Sequence, residues 1–111
     1  MKLIEMMKQR AQSEQSYFRA ALLREDIARL EKLLALAHTC ESLEDFEKDG
    51  LFIGWTQGDL RTGELKAPLL PLMAAIFAYV NGPEDETMEQ AIVARWADFN
   101  AQRMKILVHC L

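Results

Sequence analysis

Residues 2–37 contain neither glycine nor proline, and this uninterrupted stretch constrains the fold more than any other feature of the chain. In its later part, apolar residues recur at alternating spacings of three and four, which is the pattern of a helix with one buried face. This buried seam consists of Ala20, Leu23, Ile27, Leu30, Leu34 and Ala37. The stretch therefore predicts a protein built mainly from helices.

The N-terminal part of the stretch, residues 1–15, predicts an arm. Leu3, Ile4 and Met7 form an apolar stripe in a different helical phase from the buried seam. The polar segment Gln12–Ser16 separates the two. One straight helix over the whole stretch would be ~54 Å long, whereas a domain of this size is only ~35 Å across. Either the helix breaks at the polar segment and the arm folds back, or another chain covers the arm. We favour the second alternative, which predicts a homodimer with these three apolar residues in its interface.

The second half of the chain predicts two further main helices. Residues 67–81 include no charged side chain and are followed by Gly82 and Pro83, so they predict a helix that is buried on all sides. Residues 84–109 predict a last helix, with acidic residues at its start and basic residues near its end, as the helix dipole favours. Its predicted buried face consists of Met88, Ile92, Trp96, Phe99 and Ile106.

A short helix is predicted between the long first stretch and the glycine-rich segment. Ser42 followed by Asp45 resembles a capping box, so we expect a helix from about residue 43 to residue 48. Gly50 is then expected to end this helix in the left-handed conformation that glycine adopts without strain.

Residues 51–66 contain three glycines and are the least helical part of the sequence. They fit either a small hairpin that turns at Gly58–Asp59 or an irregular loop. The predicted fold class is therefore all-α. We expect a small helical bundle of three main helices plus one short helix, in a single domain over residues 1–111.

Composition and charge exclude several classes of function. The net charge of −4 and the pI of about 5.2 provide no basic field for phosphates, so direct binding to nucleic acid is not expected. The longest uncharged run is shorter than the ~20 apolar residues that span a bilayer, and no export signal is visible. We expect a cytoplasmic protein with no membrane segment and with reduced cysteines.

Histidine and cysteine residues occur in two clusters, His38–Cys40 and His109–Cys110, each near a predicted helix C-terminus. Zinc takes four nitrogen or sulfur ligands, and a thiol beside an imidazole is the pattern of a nucleophile with its base. However, the spacing matches no zinc motif. We expect no metal, no cofactor and no catalytic residue. A metal- or thiol-dependent protein that uses these side chains is the alternative.

The acidic run after the first stretch and the glycine-rich segment that follows it predict a binding surface over residues 41–66. Carboxylates attract a basic partner, and aromatic residues and arginine contribute much of the energy of protein interfaces. The predicted partner-binding residues are Glu44, Glu47, Phe52, Trp55 and Arg61. A plainer alternative is that this segment only crosses from one end of the bundle to the other.

No catalytic motif is recognised in the sequence. The sequence therefore predicts a small non-enzymatic protein-binding protein, such as a regulator, an inhibitor or an adaptor. The alternative from another class is a structural homo-oligomer with no other ligand.

Overall fold

The helices of the chain are seen in a computed structural model, which describes residues 2–53, 66–83 and 85–110, with side chains over 2–50, 68–83 and 85–105. The described residues form five helices and no strand, which confirms the all-α prediction. The helices are α1 (Lys2–Ser13), α2 (Tyr17–Thr39), α3 (Leu43–Ile53), α4 (Lys66–Asn81) and α5 (Glu86–Cys110). Most of the glycine-rich segment lies outside the described residues, so the choice between hairpin and loop stays open.

The predicted first helix is in fact two helices that meet at the polar segment. α1 ends at Ser13 and α2 begins at Tyr17. Ser16 caps α2 in an extended conformation, with φ −78° and ψ 123°. Its side chain accepts a hydrogen bond from the backbone N–H of Arg19, at 3.4 Å. Such a cap satisfies one of the N–H groups that the first turn of a helix leaves unpaired.

The break lets α1 fold back onto α2 and α5 of its own chain. Leu3 and Met7 are fully buried, and Ile4 is 9% exposed. The apolar residues of the arm are therefore covered by helices of the same chain, and they do not need a second chain to cover them. The longest dimension of the chain is 40 Å, well short of the ~54 Å that one unbroken helix requires. Dimerisation itself stays a prediction.

The core is centred on α4, which contacts α2, α3 and α5. Leu69, Leu72, Met73 and Ile76 of this helix have no exposed surface, but Pro71 and Ala78 on its other side are exposed. The prediction that this helix is buried on all sides is therefore wrong; the neighbouring helices cover one side of it. From α5, the predicted residues Ile92, Trp96 and Phe99 are buried against the covered side, whereas Met88 is half-buried and the Ile106 side chain lies outside the described residues. All members of the predicted seam on α2 are buried except Ile27, which is half-buried.

α3 is longer than predicted, because Gly50 does not end it. α3 continues to Ile53, and among the described glycines none has a positive φ. Gly50 is buried inside the helix, where an added Cβ would collide with the Cε methyl of Met73 and lie 3.2 Å from Cδ2 of Leu33. Gly50 therefore allows α3 to approach α2 and α4 closely, and its function here is packing rather than turning.

Within the described part of the chain, none of the helices is both long enough and apolar enough to span a bilayer.

Candidate functional site

The acidic residues of α3 form a charged face on a packed helix. Glu44, Asp45 and Asp49 are exposed on the solvent side of the helix, whereas Phe46 and Gly50 are buried. The exposed Lys48 lies between Glu44 and Asp45 on the same side. None of these three carboxylates forms an ion pair with another described residue. We call these three residues the acidic face of α3.

Of the predicted partner-binding residues, Glu44 belongs to this face and Glu47 is half-buried beside it. Phe52 lies in α3, but its side chain is not among those described, and Trp55 and Arg61 lie outside the described residues altogether. The structure thus places Glu44 and Glu47 of the predicted surface together on α3. The contribution of Phe52, Trp55 and Arg61 to that surface stays a prediction.

α3 is held in place by contacts on its inner side. The Phe46 ring is fully buried and stacks on the Phe77 ring of α4, with 5.7 Å between ring centroids and 28° between planes. At the start of the helix, Oγ of Ser42 accepts a hydrogen bond from the backbone N–H of Asp45 at 3.2 Å, as the predicted cap requires. The acidic face is therefore presented by a well-packed element.

The two histidine and cysteine clusters do not form a described site. His38 is exposed in the last turn of α2, and Cys40 is half-buried just after it. The side chains of His109 and Cys110 are not among those described. Among the described side chains, no group of three or more His, Cys, Asp or Glu residues is placed to hold a metal ion.

Sequence patterns missed a buried ionic cluster between α2 and α5. Asp26 is fully buried, and its carboxylate accepts four hydrogen bonds. Arg103 donates two of them, at 2.7 and 3.2 Å, in a fork on both oxygens. Nε1 of Trp96 donates at 2.8 Å and Nη1 of Arg29 at 2.6 Å. Asn100 completes the group, because its Oδ1 accepts from Arg103 at 2.8 Å. We call these five residues the Asp26 cluster.

The geometry of the Asp26 cluster indicates that it stabilises the fold and does not bind a substrate. A carboxylate offers about four acceptor positions, and those of Asp26 are filled. Arg103 is only 2% exposed, and its guanidinium lies over the Phe99 ring, 5.3 Å from the centroid. A group with saturated oxygens and no exposed surface is poorly suited to accept a proton from a substrate. The cluster instead joins α2 and α5 through residues that are 70 and 77 positions apart in sequence.

One sequence signal does exist for this cluster. Asp26 stands three residues after Leu23 and four before Leu30, so it lies on the same side of α2 as the buried seam. Arg103 stands four residues after Phe99 in the same way. Each helix thus has a charged residue at a position where the helical period predicts a buried side chain, and the two charges are opposite. Because buried charges are usually paired, this pattern could have predicted the ion pair.

A second buried polar contact involves Glu89, at the start of α5. Glu89 is 3% exposed, and its Oε2 accepts a hydrogen bond from the Tyr79 hydroxyl at 2.9 Å. Tyr79 is itself 3% exposed and belongs to α4, so the contact links α4 to the first turns of α5. Its role is to satisfy two polar groups that the helix packing buries.

A cleft of about 170 Å³ opens between the start of α4 and the middle of α5. Its lining includes Pro68, Pro71, Leu72, Arg95, Asp98 and Phe99. Pockets for small organic ligands usually measure ~300–1,000 Å³. The cleft is therefore too small to be the candidate site for a drug-sized ligand.

Comparison of the whole chain with models of protein families, with curated proteins and with solved structures finds no match. The candidate function therefore rests on the residues of this chain alone.

Proposed function

We propose that this protein is a small non-enzymatic binding protein that recognises another protein through the acidic face of α3. The observation that supports the proposal is the contrast between the two sides of this helix. Its inner side is fixed by the buried Phe46 and Gly50, whereas its outer side presents three exposed carboxylates that pair with no described cation. A rigid scaffold that displays unpaired charge is a common basis of recognition.

The partner that fits this face is a protein with a basic surface. An exposed ion pair contributes only ~0.2–1 kcal/mol, so three carboxylates alone make a weak contact. Their main effect is to raise the association rate and to select a partner of opposite charge. A tight complex also needs apolar anchors. Leu43, which is 37% exposed at the start of α3, is one, and the predicted Phe52 and Trp55 are the others.

The experiment is a co-purification from cells that naturally contain the protein, read by quantitative mass spectrometry. The test variant is Glu44→Lys with Asp49→Lys, which reverses two charges of the acidic face. The matched control is Glu5→Lys with Asp98→Lys, because both residues are exposed and lie on α1 and α5. The two variants have the same net charge, so a difference between them reports position and not overall charge.

We expect one or more proteins to co-purify with the natural chain and with the control, and to be lost from the test variant. The lost proteins are expected to have a basic surface, and their recovery is expected to fall with added salt. The proposal is contradicted when both variants retain the same proteins as the natural chain, or when both lose them equally.

A further inference from the structure

The outer side of α2 carries the two most exposed aromatic residues of the described chain. Tyr17 is 79% exposed and Phe18 is 70% exposed, and their rings meet edge to face with 6.2 Å between centroids. Burying two adjacent aromatic rings is favourable compared with leaving them in water, because each ring removes a large apolar area from the solvent. They follow directly after the capped break, on a side of α2 that α1 leaves uncovered.

Phe18 begins a second stripe along α2, on the side opposite the buried seam. Its members recur at alternating spacings of three and four and are exposed, apart from the half-buried Ala21. We call this stripe the outer seam; it consists of Phe18, Ala21, Glu25, Ala28, Lys32, Ala35 and Thr39. The same spacing in a coiled coil turns one side of a helix toward a partner helix. Alanine at every seventh position lets two helices come close.

The charges of the outer seam define which partner helix fits. Glu25 and Lys32 lie two turns apart, too far to pair with each other, and neither forms an ion pair with another described residue. A second copy of α2 in parallel register would place Glu25 against Glu25. An antiparallel copy centred near Ala28 would place each Glu25 beside the partner's Lys32. This arrangement forms two identical opposite-charge pairs across a two-fold axis.

We propose that α2 pairs with α2 of a second copy in antiparallel orientation through the outer seam. At the centre, Ala28 faces Ala28 of the partner subunit, and the two ion pairs flank it. At each end, Phe18 lies against the partner's Thr39, where that chain turns into α3. Leu43, the third large apolar residue with notable exposure among those described, lies next to this end. The proposal uses none of the three carboxylates of the acidic face of α3, although Leu43 adjoins both surfaces.

The first test is sedimentation equilibrium on the natural chain and on two matched variants. Ala28→Glu places two like charges at the centre of the proposed contact, and we expect it to weaken dimerisation at least a hundredfold. Ala94→Glu makes the same change at an exposed alanine on α5, and we expect it to leave the dimer unchanged. Both positions are exposed. A cooperative thermal transition and a helical circular dichroism spectrum, measured for each variant at a concentration where the chains are monomeric, confirm that both fold.

The second test concerns orientation. Glu25→Lys and Lys32→Glu each turn both ion pairs into like-charge contacts, and we expect each alone to weaken dimerisation about tenfold. The combination of both changes restores opposite charges in the antiparallel arrangement, so we expect it to recover the natural affinity. In a parallel dimer the combination would still oppose like charges and would not recover.

Three results overturn the proposal. The first is a natural chain that remains monomeric at high micromolar concentration. The second is an Ala28→Glu variant that dimerises as the natural chain does, which would place the interface elsewhere. The third is a failure of the double charge swap to recover what the single changes lose. Because the α3 carboxylates are intact in every variant, these results do not depend on whether the acidic face binds a partner.

Discussion

Replacing Asp26 with alanine is expected to destabilise the protein more than any other single loss of a charge among the described residues. The change removes the acceptor of four hydrogen bonds and takes the carboxylate away from the buried guanidinium of Arg103. Breaking a buried ion pair from one side costs ~3–5 kcal/mol, because the remaining charge stays in a poorly solvated place. For a domain whose total stability is ~5–15 kcal/mol, this is a large fraction.

The assay is urea unfolding, followed by far-UV circular dichroism and by tryptophan fluorescence, since Trp96 donates to Asp26. Asp26→Leu combined with Arg103→Leu is the informative companion, because it removes both charges together. We expect this double variant to lose less stability than Asp26→Ala, as apolar side chains can replace a buried pair at little cost. Glu31→Ala, an exposed change on the same helix, is the control and should stay within ~0.5 kcal/mol. A loss below ~1 kcal/mol for Asp26→Ala would refute the reasoning.

Three further changes test the packing of α3, each by a shift in unfolding free energy. Phe46→Ala should cost ~3–5 kcal/mol, because the ring is fully buried and stacked on Phe77; a cost near zero would mean that α3 is not anchored there. Gly50→Leu should cost ~1–3 kcal/mol, because no room exists beside Met73, and a stable variant would contradict the close approach. Ser42→Ala should cost ~1 kcal/mol through the lost cap, whereas an unchanged value would show that the cap contributes nothing.

The parts of the fold that the sequence predicts are those set by local periodicity. The buried seam of α2 and the charge-free α4 are both visible as patterns of apolar residues. The seam is buried apart from the half-buried Ile27, and α4 lies in the core with one side, whereas its Pro71 and Ala78 are exposed. The end of α4 at Asn81, next to Gly82 and Pro83, follows from residues that cannot continue a helix. These features depend on a few neighbouring residues, which is why a single sequence is enough to predict them.

The features that the sequence did not predict depend on contacts between distant residues. A glycine at position 50 is typical of a helix end when only the sequence is considered. In the structure Met73 and Leu33 lie so close to Gly50 that a larger side chain would collide with them, so the residue serves helix packing. The pairing of Asp26 with Arg103 joins positions 77 residues apart. The fold-back of α1 was one of two alternatives at the polar segment, and only the packing of the whole chain decides between them.

For the candidate site, the sequence predicts the acidic character of α3 but not its geometry. Exposure of Glu44 and partial burial of Glu47 follow from the helical phase that Phe46 and Gly50 impose. The outer seam of α2 was not predicted either. Its alanines look like ordinary helix formers until the structure places them on an uncovered side.

The most direct test of the proposed function is site-specific photo-crosslinking in living cells that contain the natural partners. A photoreactive amino acid replaces Asp45 in the acidic face of α3, and in a matched chain it replaces Asp98 on α5, since both positions are exposed. The account predicts an adduct with another protein from position 45 that is absent from position 98 and is lost when Glu44→Lys and Asp49→Lys are added. The same adducts from both positions, or adducts at position 45 that persist after the charge reversal, would contradict it.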